Sequence, residues 1–262
     1  MKASPVELFY REMGDPERPP LILLHGLFGS STNWLGIAGK LAQDYRLILP
    51  DLRNHGRSPH SQVMSYEAMA EDLLALLARL DLENTHLLGH SLGGKCAMWL
   101  ALHSPQSIDR LVVADIAPVA YPNRFKTVLQ ALNGLNPAEI GSRDEADRLL
   151  ARWLDNSGLR QYLLQNLLHR GSLWQWRFNL PVLGEKIEQL LDFPTQNTEP
   201  YPGPVLFLYG GNSDYVQESH RSEINRLFPY ARLRQLVGAG HWLYAERPEE
   251  FSHALKTFLT PG

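Results

Sequence analysis

Gly89-His90-Ser91-Leu92-Gly93 follows a short apolar run, Thr85 to Leu88, and precedes a helix-compatible stretch that starts at Leu92. That placement reads as a strand, a sharp turn and a helix, with a serine at the apex. So tight a turn holds the serine in a strained backbone conformation and needs glycine on either side to avoid neighbouring elements. The hydroxyl is pushed out towards a reacting carbonyl. The string alone is only moderately specific, because glycine and serine also make ordinary loops. The rest of the chain has to decide.

Around it, β-like runs alternate with helical ones. Val6 to Tyr10, Leu21 to Leu24 and Tyr45 to Leu49 read as strands, followed by a helix from about Tyr66 to Leu80. After Thr85 to Leu88 come a helix through His103 and a strand from Arg110 to Ala114. This alternation predicts an α/β fold whose mostly parallel central sheet is flanked by helices. The helix after Ser65 is the clearest: Ser65 is a good N-cap, and Met69, Leu73, Leu76, Leu77 and Leu80 make one apolar face. From Pro118 onward no convincing strand occurs for most of the next stretch; amphipathic helices are expected at Phe125 to Leu132, Asp144 to Leu154, Leu159 to Leu168 and Glu185 to Leu191. The sheet pattern resumes at Val205 to Tyr209 and Leu233 to Val237, ahead of a last helix near Pro248 to Phe258. Residues 1–117 and 201–262 are therefore expected to form one core domain, residues 118–200 a helical cap inserted over the sheet, and Pro194 to Pro204 the return linker.

Composition narrows the function classes. With 262 residues, 44% hydrophobic and 20% charged, the chain has the make-up of a soluble globular protein. A net charge of -3 gives no electrostatic case for nucleic acid or an anionic membrane surface. No apolar run reaches the length of a signal peptide or a membrane span, so no stable membrane insertion is expected. Cys96 is the only cysteine, which excludes an intrachain disulfide and fits a reducing cytoplasm. Its place in a helix expected to be buried reads as a packed thiol rather than a second nucleophile. A monomer or weak homodimer is expected.

A serine hydroxyl is a poor nucleophile at neutral pH and needs a base, which needs an orienting group. Among ten histidines, His241 in Gly238-Ala239-Gly240-His241-Trp242 is the candidate base, because it follows the last expected strand and such loops converge on one sheet edge. His90 would point away from so sharp a turn, and His55 reads as a packing or lining residue. A tetrahedral oxyanion needs two backbone N–H donors: Leu92, just after the serine, and Leu27 in His25-Gly26-Leu27-Phe28-Gly29, after the second strand. Two aspartates compete for the acid. Asp214 lies in the loop after Tyr209, the commoner location, and Asp115 ends the strand that follows the serine's helix; both keep the order serine, acid, histidine. Asp51 and Arg53 read as loop-fixing residues.

The strings His25 to Ser30, Asp51 to Ser58, Gly89 to Gly94, Asp115 to Val119, Trp176 to Asn179, Gly210 to Ser213 and Gly238 to Trp242 together resemble the α/β-hydrolase superfamily, and within it the capped YbfF-type esterases. In that group a serine fills the usual acid slot, here Ser213, and the aspartate of the preceding strand serves the histidine. The resemblance thus implies Ser91, His241, Asp115 and Ser213 as the catalytic set, with Asp214 one position out of frame as the alternative acid. It also implies a serine esterase acting on small-molecule carboxylic esters, with acyl-CoA thioesters as a second class, through an acyl-enzyme and without metal or organic cofactor. Phe28, Trp153 and Trp176 are candidates to line the substrate crevice, and Arg124 and Arg177 to meet an anionic substrate tail. Perhydrolase, C–C bond hydrolase and lyase chemistry on the same three residues are rival readings, as is a non-catalytic ligand-binding module.

Overall fold

The apolar runs on either side of Ser91 become neighbouring strands in a computed structural model that describes residues 4–171, 173–195 and 198–260. The chain opens with β1 (Tyr10–Met13), β2 (Pro20–Leu24), α1 (Leu35–Leu41) and β3 (Arg46–Pro50). It continues with α2 (Tyr66–Arg79), β4 (Thr85–His90), α3 (Leu92–His103) and β5 (Ile108–Ala114). The inserted segment carries α4 (Lys126–Asn133), α5 (Arg143–Leu150), α6 (Ser157–Leu164), β6 (Leu167–Arg170), β7 (Leu173–Trp176), α7 (Leu180–Glu185) and α8 (Ile187–Leu191). The chain then returns to the sheet with β8 (Val205–Gly210), α9 (Arg221–Leu227), β9 (Ala231–Leu236), α10 (Leu243–Glu246) and α11 (Pro248–Leu259).

Among the described residues the main sheet has the strand order β1-β3-β2-β4-β5-β8-β9, parallel throughout except where β1 meets β3. Successive strand residues face opposite ways. Leu23, Leu88, Val112 and Leu208 therefore join a core with residues of α1 and α11, while Ile22, Leu87, Val113 and Phe207 join the other with α2 and α3. The second core runs on into the inserted segment through Leu132, Leu150 and Leu163. Burial on both faces is why these strands read as continuous apolar runs. Ser65 caps α2 as its position suggests, accepting from Ala68 N at 3.3 Å.

Pairing register then brings the strand ends level. Leu24 lies opposite Gly89, His90 opposite Ala114, and Gly210 opposite Leu236, so the loops after β2, β4, β5, β8 and β9 open on one edge. From β2 the chain crosses to β3 on one side, and from β4 to β5 on the other. A sheet with such a switch point leaves a crevice at the carboxyl ends of the two strands.

Two expectations need correction. The strand expected at Val6 to Tyr10 begins instead at Tyr10, because upstream amides bond to side chains: Val6 N donates to Asp72 Oδ1 at 2.6 Å and Phe9 N to Ser58 Oγ at 2.9 Å. The inserted segment is not free of strands. Leu167 and Leu168 leave the helix expected to contain them and pair antiparallel with Trp176 and Gln175, with Gly171 at φ 62° in the turn. Of the linker expected at Pro194 to Pro204, residues 196 and 197 lie outside the described residues. Among the described residues no helix is long and apolar enough to cross a membrane.

Candidate active site

Ser91 sits at φ 53° and ψ -117°, a conformation that L-residues rarely adopt. The flanking glycines are there for space. A Cβ on Gly89 would stand 2.2 Å from Gly93 O, and one on Gly93 would stand 2.5 Å from Leu24 O. Ser91 N donates to Ala114 O at 3.0 Å, tying the apex to β5, and Lys95 N donates to Ser91 O at 3.0 Å to start α3. Leu92 is the first residue of α3, so its N–H has no acceptor within the helix. Ser91 and Leu92 both line the crevice wall.

His241 and Ser91 line a cavity of about 230 Å³ at the sheet edge. His241 Nδ1 lies 2.7 Å from Asp115 Oδ2; the imidazole is 21% exposed and the carboxylate fully buried. Ser213 Oγ donates to the same Oδ2 at 2.5 Å, and Gly210 N donates to Asp115 Oδ1 at 2.9 Å. Three donors thus converge on Asp115, which is itself held at φ 52° with its N–H on Leu208 O at 2.8 Å. Asp214 is engaged elsewhere: Arg124 Nη1 reaches its Oδ2 at 2.5 Å, and both side chains are about half exposed. Tyr215 stacks on the His241 ring at 4.2 Å and 23°. His90, expected to point elsewhere, instead lines the same cavity as Ser91 and His241, with its Nε2 2.8 Å from His241 O.

The loop after β2 is held from below by two histidines. Leu52 N donates to His25 Nε2 at 3.0 Å, so the His25 proton sits on Nδ1 and is donated to Gly26 O at 2.8 Å. Gly29 N reaches the same oxygen at 3.0 Å. In a trans peptide C=O and N–H point in opposite directions, so anchoring Gly26 O on the inner side turns Leu27 N–H outward. His55 Nε2 accepts from Phe28 N at 3.1 Å, and its Nδ1–H is donated to Arg53 O at 3.0 Å. Phe28 N–H is thereby used, which leaves Leu27 N–H as this loop's candidate oxyanion donor. From the inserted segment, Tyr162 Oη donates to Leu27 O at 3.0 Å and Asn166 Nδ2 to Phe28 O at 2.7 Å. Asp51 and Arg53 do fix loops: Asp51 accepts from Ser31 N and Arg57 N, and Arg53 forms a two-pronged pair with Asp72.

These buried imidazoles give the fold an acid limit. Burial holds His55 at about 3 and lowers His25 and His90 below the ordinary 6.5. Groups with a depressed folded pKa contribute stability that is present above the unfolded value and lost as pH falls towards the folded one. The unfolding free energy from urea titration is expected to fall by several kcal/mol in total from about pH 6.5 to about pH 4, and the midpoint with it, with a shallower fall in His55→Gln. A midpoint flat across that range contradicts this.

Of the residues expected to meet substrate, Phe28 and Arg124 line the crevice. Trp153 does not; it is 53% exposed on the inserted segment. Trp176 stacks on Phe178 at 5.1 Å and 12° in the hairpin, and Arg177 is held there by its own backbone, which bonds to Asn166 O and His60 Nε2; neither lines the crevice. Sequence reasoning missed Tyr162, Tyr215 and Trp242, which do line it. Trp242 and Tyr215 carried a signal, each lying within two residues of a singled-out position; Tyr162 carried none. Among the described residues no group of His, Cys, Asp or Glu could hold a metal. Cys96 is buried, and burial pushes its thiol pKa up, away from nucleophilic use.

Comparison with known proteins identifies the family of the chain. Residues 19–138 match the α/β-hydrolase fold family. The chain is similar to the sn-1-specific diacylglycerol lipase ABHD11 of Mus musculus, 44% identical over 97% of this chain and 86% of the relative. It is similar to esterase YbfF of Escherichia coli strain K12, 37% identical over 92% of each. Among solved structures, a marine microorganism esterase superposes with a TM-score of 0.94 at 39% identity, covering 97% of this chain and 100% of the other. The chain belongs to the α/β-hydrolase fold family. Esterases and lipases recur among these relatives over nearly the whole chain, which bears out the expectation of a carboxylic ester hydrolase of the serine type.

Proposed function

We propose that the protein hydrolyses carboxylic esters through an acyl-enzyme on Ser91. The observation that carries this reading is the buried Asp115 carboxylate set 2.7 Å from His241 Nδ1, in the crevice that also holds Ser91. Asp115 keeps the His241 proton on Nδ1, so Nε2 is free to act as a base. Ser91 Oγ attacks the ester carbonyl while its proton passes to His241 Nε2, and the Leu27 and Leu92 amides hold the resulting oxyanion. The bond to the alcohol oxygen then breaks, and His241 delivers its proton to that oxygen. Water, deprotonated by His241, repeats the attack on the acyl-enzyme and releases the acid. Ser213 supports Asp115 through Oδ2, a positioning role.

In this reading residues 118–200 act as a cap over the crevice, and Tyr162 and Asn166 couple it to the oxyanion loop. Esters are favoured over acyl-CoA thioesters because Arg124, which lines the cavity beside His241, is already paired with Asp214; the phosphates of CoA would have to compete for it. The single cysteine supports a cytoplasmic protein. A fluorophosphonate probe tests the proposal: one adduct per chain is expected, on Ser91, with labelling slowed when an ester substrate is present. Labelling on another residue, or none, overturns it.

A further inference from the structure

Two cavities of unequal size meet at Ser91, and only the larger one touches His241. The smaller, about 30 Å³, is lined by Leu27, Leu92, Lys95, Ile116, Ile187 and Leu190. The larger, about 230 Å³, is walled by Phe28, Val128, Leu159, Tyr162 and Trp242 beside His241. Resting on the assignment of Ser91 and His241 above, we infer that the enzyme selects esters of short, unbranched acyl groups, acetyl or propanoyl, joined to a large apolar alcohol. The chemistry decides which cavity takes which half of the substrate. His241 must reach the departing alcohol oxygen to protonate it, so the alcohol half lies on the imidazole side. The acyl chain leaves the reacting carbon away from that oxygen, towards the smaller cavity, which His241 does not line.

Size then sets the limits. A dry cavity of about 150 Å³ accepts benzene, and roughly 10–15 Å³ takes one water-sized atom. The larger cavity therefore holds an aryl or branched aliphatic alcohol, and the smaller one about two carbons. The short side is not free to lengthen. Lys95 Nζ donates to Val119 O at 2.9 Å, Leu191 O at 2.6 Å and Asp192 O at 3.0 Å, which pins the two ends of the inserted segment together. Tyr66 Oη donates to Leu190 O at 2.5 Å, so α8, which carries Ile187 and Leu190, is fastened from two sides. A longer acyl chain has to displace this wall.

The test is a series of 1-naphthyl and p-nitrophenyl esters running from acetate through propionate and hexanoate to decanoate, with dioctanoylglycerol alongside. Enzyme concentration is set by fluorophosphonate labelling of Ser91. Wild type is expected to peak at acetate or propionate and to fall by roughly 10–200-fold for each step that overfills the pocket. Ile187→Ala and Leu190→Ala are expected to move the optimum to longer acyl chains, while Val128→Ala and Leu159→Ala change only the preference for the alcohol. The inference is overturned if wild type cleaves decanoate or dioctanoylglycerol as fast as propionate, or if the Val128 and Leu159 variants move the acyl optimum. Absence of the label on Ser91 sinks the underlying reading instead, so the two failures are told apart.

Discussion

Asp115→Asn is expected to lower kcat/KM for a short-chain aryl ester by about 10³–10⁴, while Asp214→Asn stays within roughly threefold of wild type. An asparagine at 115 offers its amide N–H₂ or its oxygen to His241 Nδ1, where the carboxylate offered only acceptors. Turning the N–H₂ to the ring makes Nδ1 an acceptor and moves the proton to Nε2, the atom that has to take the proton of Ser91. The side chain stays close in shape, so the loss falls on kcat rather than on folding. Asp214 has no such role: its partner is Arg124, the pair is half exposed, and breaking such a pair changes stability by less than about 1 kcal/mol. Measuring both variants at matched Ser91 labelling checks this. A large loss in Asp214→Asn with a near-normal Asp115→Asn contradicts the assignment.

That choice between two aspartates marks the boundary of what could be read from the chain. The strands were legible because the sheet is buried on both faces, so Leu21 to Leu24 and Val205 to Tyr209 appear as unbroken apolar runs. Gly89 and Gly93 were legible because the backbone of a neighbouring element stands where a Cβ would go. Asp115 and Asp214 both follow a strand in the right order, and sequence order alone does not separate them. What separates them is register: Ala114 pairs with Leu208, which brings Asp115 beside Gly210 and leaves Asp214 further along its loop, facing Arg124. The β6–β7 hairpin was hidden because Leu163, Leu164, Leu167 and Leu168 keep a helical spacing, although the helix ends at Leu164. Trp153 follows the end of α5 and Tyr162 lies in α6, and nothing local says which faces solvent and which reaches Leu27 O.

The grip of the inserted segment on the oxyanion loop gives these missed residues a use. Tyr162 and Asn166 hold the carbonyls of Leu27 and Phe28 from above, while His25 and His55 hold Gly26 O and Phe28 N from within. In the proposed mechanism the Leu27 amide is thus set before substrate arrives, which is how such donors avoid reorganisation during the reaction. The strain at Ser91, Phe28 and Asp115, all at positive φ, is concentrated at the same edge of the sheet.

Every step of the proposed reaction depends on one oxygen atom, and Ser91→Ala removes it while keeping the Cβ that the turn already accommodates. Without Oγ, His241 has no nucleophile to deprotonate, and what remains is the help that Leu27 and Leu92 give to direct attack by water. The most direct measurement is therefore kcat/KM of Ser91→Ala on p-nitrophenyl propionate, with folding verified by its urea midpoint. A fall of about 10⁴–10⁶ is expected; a variant that retains activity within tenfold of wild type contradicts the assignment of Ser91 as the nucleophile.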